Sequence, residues 1–184
     1  MFPVTSRWRE VVCIASGPSL AADDCEKVKA WKEASAERGV ICTNTTFRLT
    51  PWADVLYAMD RVWWKEYGDE VSDVFTGMAA TPVRGIRGTE RVHSHDTQNS
   101  GAGAIALAAS MGAKRIFLLG YDCQHTGGKA HWHGNHPKGL GNAGSVDKWP
   151  NQFRMLAARL PNIKIINCTR ETALNVFPRG TLEE

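Results

Sequence analysis

The residues best equipped for chemistry are crowded into one stretch. All six histidines of the 184-residue chain fall between His93 and His136, and His125, His131, His133 and His136 share a glycine-rich loop at about 123–146. Long loops over a rigid scaffold often act as lids. A histidine in such a loop serves as general base, phosphate contact or metal ligand, because imidazole titrates near neutral pH. HWHGNH at 131–136 has zinc-type ligands, but it lacks the spacing of a regular zinc motif and has no paired thiolates. His131, His133 and His136 are therefore candidate general bases; a structural metal, or a plain solvated loop, is the alternative. Just upstream, the strand-like RIFLLG runs into Tyr121 and Asp122. Tyr121 can stack on a base, and Asp122 can orient a base, act in catalysis or hold a metal. A packing aromatic and a cap are the plain readings of the pair.

A second set of residues recurs where apolar runs stop. VVCIA at 11–15 ends in Ser16-Gly17-Pro18-Ser19, and a helix-like segment follows. A strand ending in a tight glycine turn at a helix start makes an anion site, with Gly17 allowing close approach and the turn's N–H groups facing the ligand. Asn44 follows a second run and can hydrogen-bond a base or ribose, or close an Asx turn. Asp60 ends YAMD and can hold a ribose hydroxyl or a metal, or cap a helix. Asn99-Ser100-Gly101-Ala102-Gly103 is a second glycine-rich helix start, suited to phosphate or sugar hydroxyls or to capping and close packing. Gly120 ends the cleanest strand. Asp23 and Asp24, just after GPSL, suit a helix dipole but oppose a bare phosphate.

Composition narrows the classes that remain. A chain that is 43% hydrophobic and 22% charged reads as one globular, soluble domain with a sizeable core. A net charge of +3 is too small to argue for nucleic-acid binding. No apolar run approaches the roughly 20 residues that span a bilayer, and the start MFPVTSRWREVV lacks a signal-peptide core. The expected location is the cytoplasm. Five cysteines, an odd number without a CxxC pair, fit reduced buried thiols.

The elements that must position these residues alternate. Strands are expected at Val11–Ala15, Val40–Thr43, Val55–Met59, Arg115–Leu119 and Lys164–Asn167, with a weaker one near Val83–Arg87. Helices are expected at Ala21–Arg38, stopped by Gly39, and at Arg61–Tyr67, Gly101–Met111 and Asp147–Leu160. Strand runs without polar alternation belong to a sheet buried on both faces. The expectation is one α/β domain: a Rossmann-like, doubly wound, mostly parallel sheet with helices on both faces. Ligands of such folds bind outside the strands' carboxyl ends, where the polar and glycine residues recur.

The ordered set SGPSL at 16–20, Asn44, NSG at 99–101 and LLGYD at 118–122 resembles two related groups. One is the bacterial sialyltransferases that use CMP-sialic acid. The other is a domain-of-unknown-function family that includes archaeal 6-hydroxymethylpterin diphosphokinase. Over about residues 11–178, and above all in NTTFRLTPWADVLYAMDRVWW, the chain is most similar to small bacteriophage and prophage proteins of that group, some described as morphogenesis proteins. The sialyltransferase resemblance implies Gly17, Pro18 and Ser19 at the nucleotide phosphate. It implies Asn44 and Ser100-Gly101 near nucleotide and sugar, Gly120 to Asp122 at the base, and a loop histidine as general base. No tyrosine follows Tyr121, so that group's late tyrosine pair has no counterpart here. The diphosphokinase resemblance implies ATP with Mg²⁺ held beside Asp60 and Asp122. The resulting expectation is a phage-type transferase dependent on a nucleotide or nucleotide-sugar donor. Its acceptor is left open among glycan, nucleoside, DNA and small metabolite. A Mg²⁺-dependent diphosphokinase and a non-catalytic accessory protein that keeps the fold are the alternatives.

Overall fold

A computed structural model describes residues 8–137, 140, 144 and 146–183. The expected lid loop therefore falls partly outside the described residues. Seven strands form one sheet: β1 (Glu10–Ile14), β2 (Arg38–Thr43), β3 (Val55–Tyr57), β4 (Met78–Thr81), β5 (Glu90–Arg91), β6 (Arg115–Leu119) and β7 (Lys164–Asn167). Their order is β5-β4-β3-β2-β1-β6-β7, and every pairing is parallel. Four helices accompany them: α1 (Ala22–Glu33), α2 (Arg61–Val74), α3 (Ser100–Ser110) and α4 (Trp149–Arg159). This is the expected Rossmann-like α/β architecture. Among the described residues, no helix is long and apolar enough to cross a membrane.

The two faces of the sheet divide by the two-residue period of a strand. Val11 and Cys13 of β1, Ile41 of β2 and Ile116 and Leu118 of β6 pack against α3 and against Phe153 and Leu156 of α4. Val12, Ile14, Val40, Cys42, Phe117 and Leu119 point the other way, against Cys25 and Val28 of α1 and Trp63, Trp64, Tyr67 and Val71 of α2. A run such as VVCI is apolar throughout because both of its faces are covered. Helix α3 is built of small residues because it lies close to the sheet. A Cβ on Gly103 would sit 2.3 Å from the Tyr57 ring.

Several boundaries differ from the sequence expectation. Helix α1 ends at Glu33, and Arg38 and Gly39 instead open β2, paired with Glu10 and Val11. Gly39 is not a helix stop; a Cβ there would lie 2.3 Å from the Trp8 ring, so packing selects the glycine. Helix α2 continues past Tyr67 to Val74, since buried Val71 prolongs its apolar stripe. The strand expected near Val83–Arg87 is a turn, with Gly85 and Gly88 at φ of +72° and +73°. The strands lie on either side of it, as β4 and β5. All five cysteines are free thiols, and burial pushes those of Cys25, Cys42 and Cys123 up to about 12.

Candidate functional site

The chain leaves β1 toward β2, then crosses through α3 to β6 on the opposite side of β1 and continues to β7. The connections after β1 and β6 therefore diverge, which opens a crevice above their carboxyl ends. At its floor the two exits interlock. Gly17 N–H donates to the Gly120 carbonyl at 2.8 Å. A Cβ on Gly17 would fall 2.1 Å from Asp122 Oδ1, and one on Gly120 would fall 2.3 Å from the Ala15 carbonyl oxygen. Gly120 also needs its φ of +70°. Asp122 completes the lock: Oδ2 accepts from Ser19 N–H at 2.9 Å and from the Thr126 hydroxyl at 3.0 Å, and Oδ1 accepts from the Ser19 hydroxyl at 2.9 Å. Burial raises the Asp122 pKa, and the hydrogen bonds from Ser19 and Thr126 offset part of that rise.

This geometry claims most of the donors that residues 16–19 would offer a phosphate, the Ser16 N–H alone having no acceptor among the described residues. Gly17 and Ser19 spend their N–H groups on Gly120 and Asp122, Leu20 donates to the Gly17 carbonyl, and Ala21 donates to Asp24 Oδ2. Pro18 has no N–H to offer. The Ser16 hydroxyl is also turned inward, 2.9 Å from Thr46 Oγ1. The first turn of α1 carries Asp23 and Asp24, which Arg170 grips at 2.7 Å each. An acidic, neutralised helix start does not attract an anion. Gly17 is required by the neighbouring strand exit, so its tight turn serves the protein's own backbone.

The open helix starts are those of α3 and α4. The side chain of Asn99 caps α3, accepting from Ala102 N–H at 2.8 Å, while its amide donates to Gln152 Oε1 at 2.6 Å. Among the described residues nothing accepts from the N–H groups of Ser100 and Gly101. Neither α3 nor α4 has an acid in its first turn, and Lys148 stands immediately before α4. Both starts line a cleft of about 660 Å³ above the crevice.

The opposite wall of that cleft carries Asn44 and Asp60. Asn44 leaves β2 with φ of +49°, a conformation asparagine tolerates. Asp60 precedes α2 without capping it through its side chain. Neither side chain has a hydrogen-bond partner among the described residues, so both are uncommitted. Half-buried Trp149 supplies aromatic wall, backed by Trp63 and Phe153, which are almost wholly buried. Tyr121 also borders the cleft but is only 3% exposed, its hydroxyl donating to the Gly101 carbonyl at 3.0 Å and its ring set edge-on to Phe153. It positions α3 from below and offers no open stacking face. Ser19 and His133 do not reach the cleft surface; Ser16, Gly17, Pro18, Gly120 and Asp122 form its floor.

The loop after β6 brings His131, His133 and His136 together. The rings of His131 and His133 stack 5.2 Å apart at 7°, and His136 lies 4.8 and 4.6 Å from them. Trp132 N–H anchors the loop to the Ser16 carbonyl at 3.2 Å, and the Trp132 side chain packs on the α1/α2 side of the core. Burial first, then neighbouring His136, pushes the pKa of both His131 and His133 down to about 4. Burial and the Arg48 guanidinium lower that of His136. At neutral pH the cluster therefore presents uncharged imidazoles, and His131 and His136 face the cleft. Asp60 and Asp122 do not join any group of three metal-type ligands among the described residues.

Sequence reading missed Gln152 and Trp149, which lie in a helix with no glycine signature, and Lys148 just before it. It also missed Arg170, an arginine in the C-terminal segment that only the fold brings to Asp23 and Asp24. Compared with known proteins, the chain matches no family model and no curated protein.

Proposed function

We propose that the chain is a transferase that takes a nucleotide or nucleotide-sugar donor in the cleft above β1 and β6. The observation that carries this reading is the division of the cleft. One side offers the α3 start, with the unclaimed N–H groups of Ser100 and Gly101, and Lys148 before α4; the other offers the uncommitted amide of Asn44 and carboxylate of Asp60. The first side suits a phosphate or diphosphate, through dipole and N–H donation. The second suits ribose hydroxyls or a base edge, and the half-buried Trp149 suits a ring. A volume of about 660 Å³ is within the usual range for ligand sites.

In this reading the N–H groups of Ser100 and Gly101 stabilise charge developing on the leaving phosphate, an interaction strongest where water is excluded. The neutral rings of His131 and His136 are the groups at the rim able to take a proton from an acceptor hydroxyl. Sugar transfer is favoured over Mg²⁺-dependent diphosphoryl transfer because Asp122 already accepts three hydrogen bonds, leaving Asp60 as the uncommitted carboxylate in the described lining.

Thermal shift with CMP, CDP, UDP, ADP and ATP tests this, each with and without Mg²⁺, on chelator-treated protein. A pyrimidine nucleoside diphosphate at about 100 times its Kd should add about 2.7 kcal/mol, or roughly 5–11 °C for a chain of this size. The gain should shrink in Asp60→Asn. A shift confined to ATP with Mg²⁺ would move the assignment to diphosphoryl transfer, and no shift with any nucleotide would overturn it.

A further inference from the structure

We propose that His131, His133 and His136 form a binding site for a first-row transition-metal dication of the Zn²⁺ class, with an open coordination position toward the cleft. One ring nitrogen from each residue lies within 4.8 Å of the other two. Four-coordinate zinc, with metal–nitrogen bonds of about 2.0–2.1 Å, sets its ligands about 3.3 Å apart, so the widest pair would close by about 1.5 Å at most. Two of the rings hold a buried Nε2 with no hydrogen-bond partner among the described residues, that of His131 and that of His133. Buried polar nitrogens are normally satisfied, and a pair of them aimed into one cluster calls for a shared partner.

One ring is steadied from behind, as in metal sites where a second partner fixes the imidazole's tautomer: His136 Nδ1 lies 3.4 Å from the Tyr67 hydroxyl. Three neutral imidazoles without thiolates or carboxylates suit zinc and its neighbours in the series better than Mg²⁺ or Ca²⁺. Arg48, whose charge reaches His133 and His136, donates through two of its nitrogens to Glu70 at 2.6 and 2.7 Å, which balances its charge beside a dication. His131 and His136 also line the cleft, so the fourth position faces water or a ligand oxygen.

The site does not depend on the nucleotide reading, but it changes the chemistry at the rim. A nitrogen lone pair given to a metal is no longer a general base, so a loaded cluster acts as a Lewis acid on an oxygen in the open position. The test uses full-length untagged protein, stripped with a chelator and dialysed, then titrated calorimetrically with Zn²⁺ alone. Binding of a single equivalent is expected, together with the intense visible absorption of four-coordinate Co²⁺ on cobalt loading. Both should vanish in His133→Ala and persist in His93→Ala. If His133→Ala does not melt cooperatively, His133→Gln takes its place. Absence of a stoichiometric step, retention of that step without His133, or a weak six-coordinate cobalt spectrum would each overturn the proposal. Because no nucleotide is present, none of these results touches the donor assignment.

Discussion

Replacing Gly17 by alanine separates two roles for the glycine turn. If the turn exists to let a phosphate approach, Gly17→Ala should spare the ligand-free protein and abolish nucleotide binding. The interlock predicts the reverse emphasis. The new methyl would lie 2.1 Å from Asp122 Oδ1 and 2.4 Å from the Gly120 carbonyl oxygen, and neither is the tip of a long flexible side chain. Either the turn lifts away from β6 or Asp122 swings out. The first breaks the Gly17–Gly120 hydrogen bond and the second strips Ser19 of its acceptor. Overpacking of this kind costs about 1–3 kcal/mol, and one lost backbone hydrogen bond adds about 1 kcal/mol. A total of about 2–4 kcal/mol corresponds to a fall in Tm of roughly 4–16 °C at this chain length. Thermal unfolding of the ligand-free variant, followed by circular dichroism, reads the effect directly. A variant melting with the wild type would refute the interlock and return Gly17 to the ligand.

Three further outcomes are expected. Gly103→Ala drives a methyl into the Tyr57 ring, at 2.3 Å, and should cost about 1–3 kcal/mol in urea unfolding; an unchanged midpoint would show that α3 is less tightly seated than described. Asp60→Asn touches no structural partner, so its stability should stay within about 0.5 kcal/mol of wild type while nucleotide affinity falls, measured by calorimetry. In chelator-treated protein, stability should decline as pH drops from neutral. The folded pKa values of His131 and His133 lie near 4, below the ordinary 6.5, so the unfolded chain binds more protons in that interval. Their contribution is complete above about pH 6.5 and is lost on acidification toward 4, softened by solvent around half-buried rings. His133→Gln should flatten the decline; an equal slope in the variant would place its origin elsewhere.

How much could be read in advance follows from which interactions are local. The apolar runs of β1, β2, β6 and β7 announce strands buried on both faces, and the recurrence of Asn44, Asp60 and Gly120 at run ends marks the rim of the cleft, because a parallel sheet gathers its carboxyl ends on one side. Strand β4 and the length of α2 were not legible, since MAAT carries little β propensity and the α2 stripe is interrupted by charged residues.

The sequence by itself determined the alternation of elements, the fold class, the buried thiols and the concentration of histidines in one loop. Each follows from composition or from periodicity over a few neighbouring residues. Tertiary structure decided what the motif residues do. Whether an N–H at Gly17 is offered to a ligand depends on Gly120 and Asp122, about a hundred residues away in the chain and only 2.8 Å away in space for the Gly17–Gly120 pair. Whether an acidic helix start repels phosphate depends on Arg170. Whether three histidines are solvated, basic or ligand-ready depends on the floor beneath their loop. Hydrogen bonds and desolvation act at contact distance, and only the folded chain establishes which distant residues are in contact.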